Sequence, residues 1–229
     1  MSVLNEATEG KEKHGDVSLW RIKSLYDGWA PWYDRTRALW AERIGGEAEE
    51  FLEQEVLPRY LAQESLVLDL GCGTAVNLER FRRLGLKIKG YVGLDISPGM
   101  LAQAKNKGGL LCLGEAGRLP FPSETFDFVL STWLMSHLAW PEDVVREALR
   151  TLKSGGHLAC LFWTPPSFPW SLVMALAKRV FKMRCLPPDR VEGIPGQVLY
   201  RRFASEANTL LVWRKGKRKT TKAPRNQGF

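Results

Sequence analysis

"LVLDLGCGTAVN", Leu66 to Asn77, decides the fold of this 229-residue chain. "LVLDL" is a short apolar run closed by glycines, as a strand buried on both faces of a parallel sheet should be. A helical pattern resumes at Asn77. Between them, Gly71 and Gly73 let backbone come close to a ligand where side chains would collide. A nicotinamide fingerprint, G-x-G-x-x-G, requires a glycine where this chain has Val76. The loop instead carries an acid, Asp69, two residues ahead of Gly71. A carboxylate there repels a pyrophosphate and favours a ligand ammonium, while the helix N-terminus suits a ligand carboxylate. Ammonium with carboxylate is an amino-acid moiety.

The surrounding sequence alternates helix and strand. Apolar spacing and punctuation predict helices over 47–60, 77–85, 98–108, 141–156 and 170–182. Strands are predicted at 66–70, 91–97, 110–114, 126–132 and 157–163, with a terminal antiparallel hairpin over 197–204 and 209–215. Such alternation implies α/β architecture, a parallel sheet covered on both faces. Ligands in such sheets bind at the carboxyl ends of the strands, where strand order reverses. Asp95 closes the second strand in "GLDIS", where an acid accepts hydrogen bonds from both ribose hydroxyls; the helix N-cap there falls to Ser97, before Pro98. Amino acid plus ribose describes S-adenosylmethionine.

Composition narrows the class. With 45% hydrophobic residues the chain is ample for one domain. No apolar run approaches the roughly 20 residues of a membrane span, and the polar start "MSVLNEATEGKEKHGDVS" reads as a disordered lead-in over 1–18. Cys72, Cys112, Cys160 and Cys185 are far apart and the histidines, His14, His137 and His157, are scattered, which argues for reduced cytoplasmic thiols and against a metal site. The net charge is +8, but seven cations and no acid lie between Arg214 and Phe229, leaving +1 for the remainder. The basicity thus belongs to a tail, 214–229, either solubilising or touching an anionic membrane surface or RNA.

The chain resembles class I S-adenosylmethionine-dependent methyltransferases of the group that includes the ubiquinone/menaquinone and phosphatidylethanolamine methyltransferases. "DLGCGTA" matches the first motif, "GLDIS" the acidic end of the second strand, "GEAGRLPFPSETFDFVLS" the run into the fourth, and "LKSGGHL" the turn into the fifth. Ala75 stands where the family usually has a third glycine, and Glu115 where it more often has aspartate. The resemblance implies a Rossmann-like three-layer sandwich, its mostly parallel seven-stranded sheet ending in an antiparallel hairpin. A methyltransferase domain would cover 19–213, with lid helices at 19–45 and a substrate-side insertion at 164–196. It implies that Asp69, Gly71, Cys72 and Gly73 cradle the methionine portion, Asp95 takes the ribose, Ile96 lies against adenine, and Glu115 and Ala116 read the adenine edge. Ser131 would approach the cofactor's amino-acid end.

His137, in "STWLMSHL", is the candidate base if the acceptor needs one, against a plain packing role; Trp133 is pocket wall or core filler. In "YDGWAPWYD" (26–34), Tyr26 and Tyr33 are expected to close on the methyl donor, Tyr33 with a catalytic share, while Trp29 and Trp32 anchor the lid. The acceptor expected is a small, lipophilic molecule such as a quinone precursor or phospholipid amine. An RNA- or protein-directed methyltransferase, disfavoured by the lack of an "NPPY"-type motif, and a non-catalytic cofactor binder remain the alternatives.

Overall fold

The computed structural model describes residues 19–40, 45–167, 171, 175, 185–203 and 206–216. The lead-in, the tail beyond 216 and most of the helix expected over 170–182 lie outside the described residues. Seven strands form one sheet: β1 (Ser65–Leu70), β2 (Ile88–Asp95), β3 (Leu110–Leu113), β4 (Phe126–Thr132), β5 (Leu152–Trp163), β6 (Gln197–Phe203) and β7 (Asn208–Arg214). Their order is β3-β2-β1-β4-β5-β7-β6. The first five run parallel, and β7 is antiparallel to both β5 and β6. Strand order reverses between β1 and β4, so a crevice opens there at the carboxyl ends. This is the α/β Rossmann-like architecture read from the sequence.

Alternation along each strand sorts side chains to two faces. Val67, Phe128, Leu130, Ala159 and Leu161 belong to one core with Leu78 and Phe81 of α5 (Val76–Arg83). Leu68, Leu70, Val129, Cys160 and Phe162 belong to the other with Val144, Val145 and Ala148 of α7 (Pro141–Thr151). Each such buried Val or Leu contributes about 1.5–3 kcal/mol. Between these two helices in chain order lies α6 (Pro98–Ala104), started by Pro98 and capped by the Ser97 hydroxyl, which accepts from Met100 N at 3.1 Å.

The N-terminal segment is helical over residues 19–29 (α1), passes through a 3-10 turn (Ala30–Trp32) and continues as α2 (Tyr33–Trp40). Next come α3 (Gly46–Phe51), a π-helical turn (Leu52–Val56) and α4 (Leu57–Tyr60), where the sequence predicted one unbroken helix. Leu52, Val56 and Leu57 are fully buried on the α5 side of the sheet. A short α8 (Asp189–Glu192) precedes β6.

β2 runs Ile88–Asp95 where 91–97 was expected, α6 gives way after Ala104 to a 3-10 turn (Lys105–Lys107), and two further boundaries differ for a clear physical reason. The helix predicted to 156 ends at Thr151, and "LKSGG" is already strand. Its glycines serve close approach rather than a cap: a Cβ on Gly156 would lie 2.7 Å from the Asp127 carbonyl oxygen, and Gly155 has φ +86°. At the other end, Arg214 closes β7, and Lys215 donates from its backbone to Gly156 O and from Nζ to Leu152 O at 2.6 Å. The first two cations assigned to the tail therefore belong to the folded body.

Candidate active site

Gly71 has φ +67° and Gly73 φ +53°, values that L side chains rarely adopt. A Cβ on Gly71 would lie 2.9 Å from Leu134 Cβ, whereas one on Gly73 would meet only the Tyr33 ring at 3.9 Å. Gly73 is thus the open floor and Gly71 the tight one. Ala75 also takes a left-handed conformation, φ +60°, so the position keeps the backbone shape that the family's third glycine would take.

Asp95 is held where the loop needs it. Its Oδ2 accepts from Gly73 N at 2.8 Å and its Oδ1 from Ser97 N at 2.9 Å, leaving lone pairs on both oxygens. Burial raises its pKa, partly offset by these N–H donors. Asp95 lines a crevice together with Leu19, Ile22, Gly71, Leu94, Ile96, Gly114, Glu115, Ala116, Leu134, His137 and Leu138. Six of the residues expected to hold the cofactor or do chemistry thus meet there: Gly71, Asp95, Ile96, Glu115, Ala116 and His137. The volume there is only about 30 Å³, room for one or two waters, with Leu19 and Ile22 of α1 among the side chains that line it. A larger cleft of about 550 Å³ lies where the lid meets α5, lined by Arg37, Glu49, Glu53, Val76 and Arg80 among others, and another of about 560 Å³ by Glu124, Arg150 and Lys215 among others.

His137 Nε2 and the Tyr26 hydroxyl are 2.8 Å apart, with ring centroids at 5.3 Å. Burial depresses the His137 pKa to about 4, so the imidazole is neutral near pH 7. Its Nδ1 is buried and has no partner among the described residues. Burial likewise raises Tyr26 well above its usual range, and Tyr33 to about 12. The two tyrosines pack edge to face at 6.0 Å.

Other expected residues lie elsewhere. Asp69 is fully buried, outside the crevice lining, accepting from Asn77 Nδ2 at 3.0 Å and from the Tyr91 hydroxyl at 2.6 Å. Desolvation raises its pKa to about 6 despite those donors. The Cys72 side chain is buried against Gly93, its thiol pKa raised by burial. Ser131, by strand alternation, shares the face of Val129, and its hydroxyl is buried without a partner among the described residues. Thr132 instead joins Asp69, through Asn77 Nδ2 to Thr132 Oγ1 at 3.0 Å. Asn77, Tyr91 and Thr132 were not singled out in the sequence, because only strand pairing brings them together.

One of the two tryptophan anchors needs correction: Trp32 is 58% exposed, whereas Trp29 is part-buried. Three charged residues also hold the lid. Asp27 Oδ1 accepts from Ser97 Oγ at 2.6 Å and Gly99 N at 3.0 Å. Asp34 accepts from Thr74 Oγ1 at 2.6 Å and Lys107 Nζ at 3.2 Å. Arg37 pairs with Glu49 at 2.6 Å. Each Tyr-Asp unit therefore turns its ring toward the crevice and its carboxylate onto the body.

The fold and crevice define a class: an α/β protein with a crevice at the carboxyl ends of its parallel strands and the second-strand acid, Asp95, in its lining. Residues 68–160 match the family model of the methyltransferase domain. A demethylmenaquinone methyltransferase of Mycobacterium tuberculosis is 30% identical over 167 residues, covering 72% of this chain and 67% of that protein. One of Streptomyces griseus is 29% identical over 178 residues, covering 73% and 70%. Among solved structures, an S-adenosylmethionine-dependent methyltransferase of Thermotoga maritima aligns with a TM-score of 0.62 at 20% identity, covering 84% of this chain and 99% of that one. The chain belongs to the class I S-adenosylmethionine-dependent methyltransferases and is therefore an enzyme that transfers a methyl group from that cofactor.

The crevice chemistry fits the cofactor. Asp95 offers a fixed carboxylate for a diol, Ile96 and Ala116 offer apolar walls for a flat base, and Gly73 leaves space under Tyr33. Among the described residues no helix is long and apolar enough to cross a membrane.

Proposed function

We propose that the enzyme methylates a small, lipophilic acceptor, with His137 as the base and Tyr26 and Tyr33 closing the site. The observation that carries this reading is the 2.8 Å contact between His137 and Tyr26 at the mouth of an apolar crevice. Bound S-adenosylmethionine supplies an electrophilic methyl carbon on a sulfonium. The chain's own task is to align the acceptor, exclude water and hold a proton. With Nε2–H donating to the Tyr26 oxygen, the Nδ1 lone pair of His137 is free to take the acceptor's proton. Its low basicity suits an acidic acceptor such as an activated phenol or carbon acid better than an aliphatic alcohol. Asp95 is proposed to hold the ribose, Gly71 and Gly73 the methionine portion, and Ile96, Glu115 and Ala116 the adenine. Asp69 acts on the ligand through the loop that it braces with Asn77.

The curated relatives at 29–30% identity are named for demethylmenaquinone, which supports a quinone-like acceptor. The basic residues beyond Lys215 support contact with an anionic membrane surface as a further part of the reading.

The test offers purified protein a labelled methyl donor with a short-chain demethylmenaquinone, a phosphatidylethanolamine vesicle and bulk RNA in parallel. Label in the quinone, lost in His137→Ala and retained with Lys217, Arg218 and Lys219 neutralised in detergent, is the expected result. Label only in RNA, falling steeply with salt, would overturn it. Tyr33→Phe should weaken turnover more than cofactor affinity; no change in either would remove Tyr33 from the site.

A further inference from the structure

Trp133 is a bulky residue in a left-handed conformation, φ +67°, a strained state that persists only where its surroundings over-determine it. Three contacts do so. Its backbone N–H donates to Leu161 O at 2.6 Å, its ring stacks on Trp163 at 4.8 Å, and its indole Nε1–H donates to Glu49 Oε1 at 2.9 Å. The turn that Trp133 begins carries Leu134 over Gly71 and His137 into the crevice. Glu49 also takes Arg37 of the lid at 2.6 Å and Arg80 of α5 at 2.6 Å, and its carboxylate is only 12% exposed. Arg80 in turn reaches Asn77, the partner of Asp69.

We infer that Glu49 is a positioning residue, which sets His137 through the Trp133 turn and Tyr26 through the Arg37 lid contact. One carboxylate thereby fixes both halves of the Tyr26–His137 pair without touching either. In turnover this rests on the reading of His137 as base; the arrangement itself does not. The charged and titratable groups at issue are Arg37 and Arg80 on Glu49, and the Tyr26 hydroxyl, Asp95 and Glu115 around the crevice that holds His137.

The experiment reads His137 directly, by NMR titration of its imidazole in the cofactor-free protein, and S-adenosylhomocysteine affinity by calorimetry. In the parent, burial should hold the imidazole neutral down to about pH 4. Glu49→Ala should move its midpoint toward the ordinary value of about 6.5 and weaken S-adenosylhomocysteine by about tenfold. Trp133→Phe and Arg37→Met, which cut one route each, should both shift the midpoint by less. Glu53→Gln is the control, for Glu53 lies one turn on from Glu49 and pairs with Arg80 and Arg83 of α5. It should leave His137 where it is. A folded Glu49→Ala protein with an unmoved midpoint overturns the inference, as does an equal shift in Glu53→Gln. If Glu49→Ala does not fold, Trp133→Phe and Arg37→Met decide: shifts in both sustain the inference, and an unmoved midpoint in either refutes it. Methyl transfer that survives His137→Ala, with the Glu49→Ala shift of His137 present, would refute the base assignment alone.

Discussion

Asp27→Ala should open the lid without altering the crevice. The carboxylate accepts two hydrogen bonds from the body, Ser97 Oγ at 2.6 Å and Gly99 N at 3.0 Å. Burial alone would raise its pKa, but Lys23, Ser97 and Gly99 outweigh it, so the group is ionised at neutral pH. Buried bonds to a charged acceptor are worth about 1.5–3 kcal/mol each. This carboxylate is 30% exposed, which brings each to about 1 kcal/mol and the pair to about 2 kcal/mol. The lid's opening constant should then rise about thirtyfold. Ser97 keeps its bond to Met100 N, so the start of α6 survives the change. Because Leu19 and Ile22 of the lid line the crevice, ligand release is expected to require opening. Stopped-flow displacement of S-adenosylhomocysteine should show dissociation accelerated by about thirtyfold, with amide exchange over residues 19–34 rising by a similar factor. A folded variant whose dissociation stays within about twofold of the parent would refute the lid as the gate.

Gly99→Ala approaches the same latch from the body, since its Cβ would lie 3.0 Å from Asp27 Cα, a backbone atom that cannot swing away; faster release in the same assay is expected. Gly71→Ala combines left-handed strain with the 2.9 Å approach to Leu134 Cβ. It should cost about 2 kcal/mol in chemical denaturation, and Leu134→Ala should recover little of the steric share, because alanine keeps the Cβ of the closest approach. On pH, His137 is harder to protonate folded, at about 4, than unfolded, at about 6.5. Its stabilisation is therefore whole above about 6.5 and lost as pH falls toward about 4. The stability gap between parent and His137→Asn should widen as pH rises through that window. Asp69 has the opposite sign: a carboxyl raised to about 6 favours the native state most below the ordinary carboxylate range and loses that advantage as pH climbs through about 6. Carbon NMR of its side chain should show that midpoint, and one near the ordinary range of about 4 would refute the desolvation argument.

Local signals carried the fold. The run "LVLDLGCG", the acid ending β2, the Ser97 cap before Pro98 and the span of β4 are each written within a few residues, and each stands where expected. The glycines of "LKSGG" misled because Gly marks a close strand approach as readily as a helix end, and only the β4–β5 pairing distinguishes them. The site was half legible. Asp95, Ile96, Glu115, Ala116 and His137 come from strand ends and converge by topology. Asn77, Thr132 and Glu49 act through partners 8, 55 and 84 residues away, and no periodicity within one element reports such a meeting. Trp32 failed as an anchor for a simpler reason: an aromatic beside Pro31 signals a turn, not burial.

The π-helical turn at Leu52–Val56 is a phase setting. A π turn winds more slowly than an α-helix, so its five residues turn about as far as four α-helical ones would. The extra residue is thus absorbed locally: Leu57 keeps its seat in the core while Glu49 still faces Arg80 and Trp133. Wound as regular α-helix with every residue kept, the stretch would swing Gly46–Phe51 by about 100° relative to Leu57–Tyr60. A residue gained there without further widening of the turn would put the ionic junction on the wrong side of an otherwise intact helix.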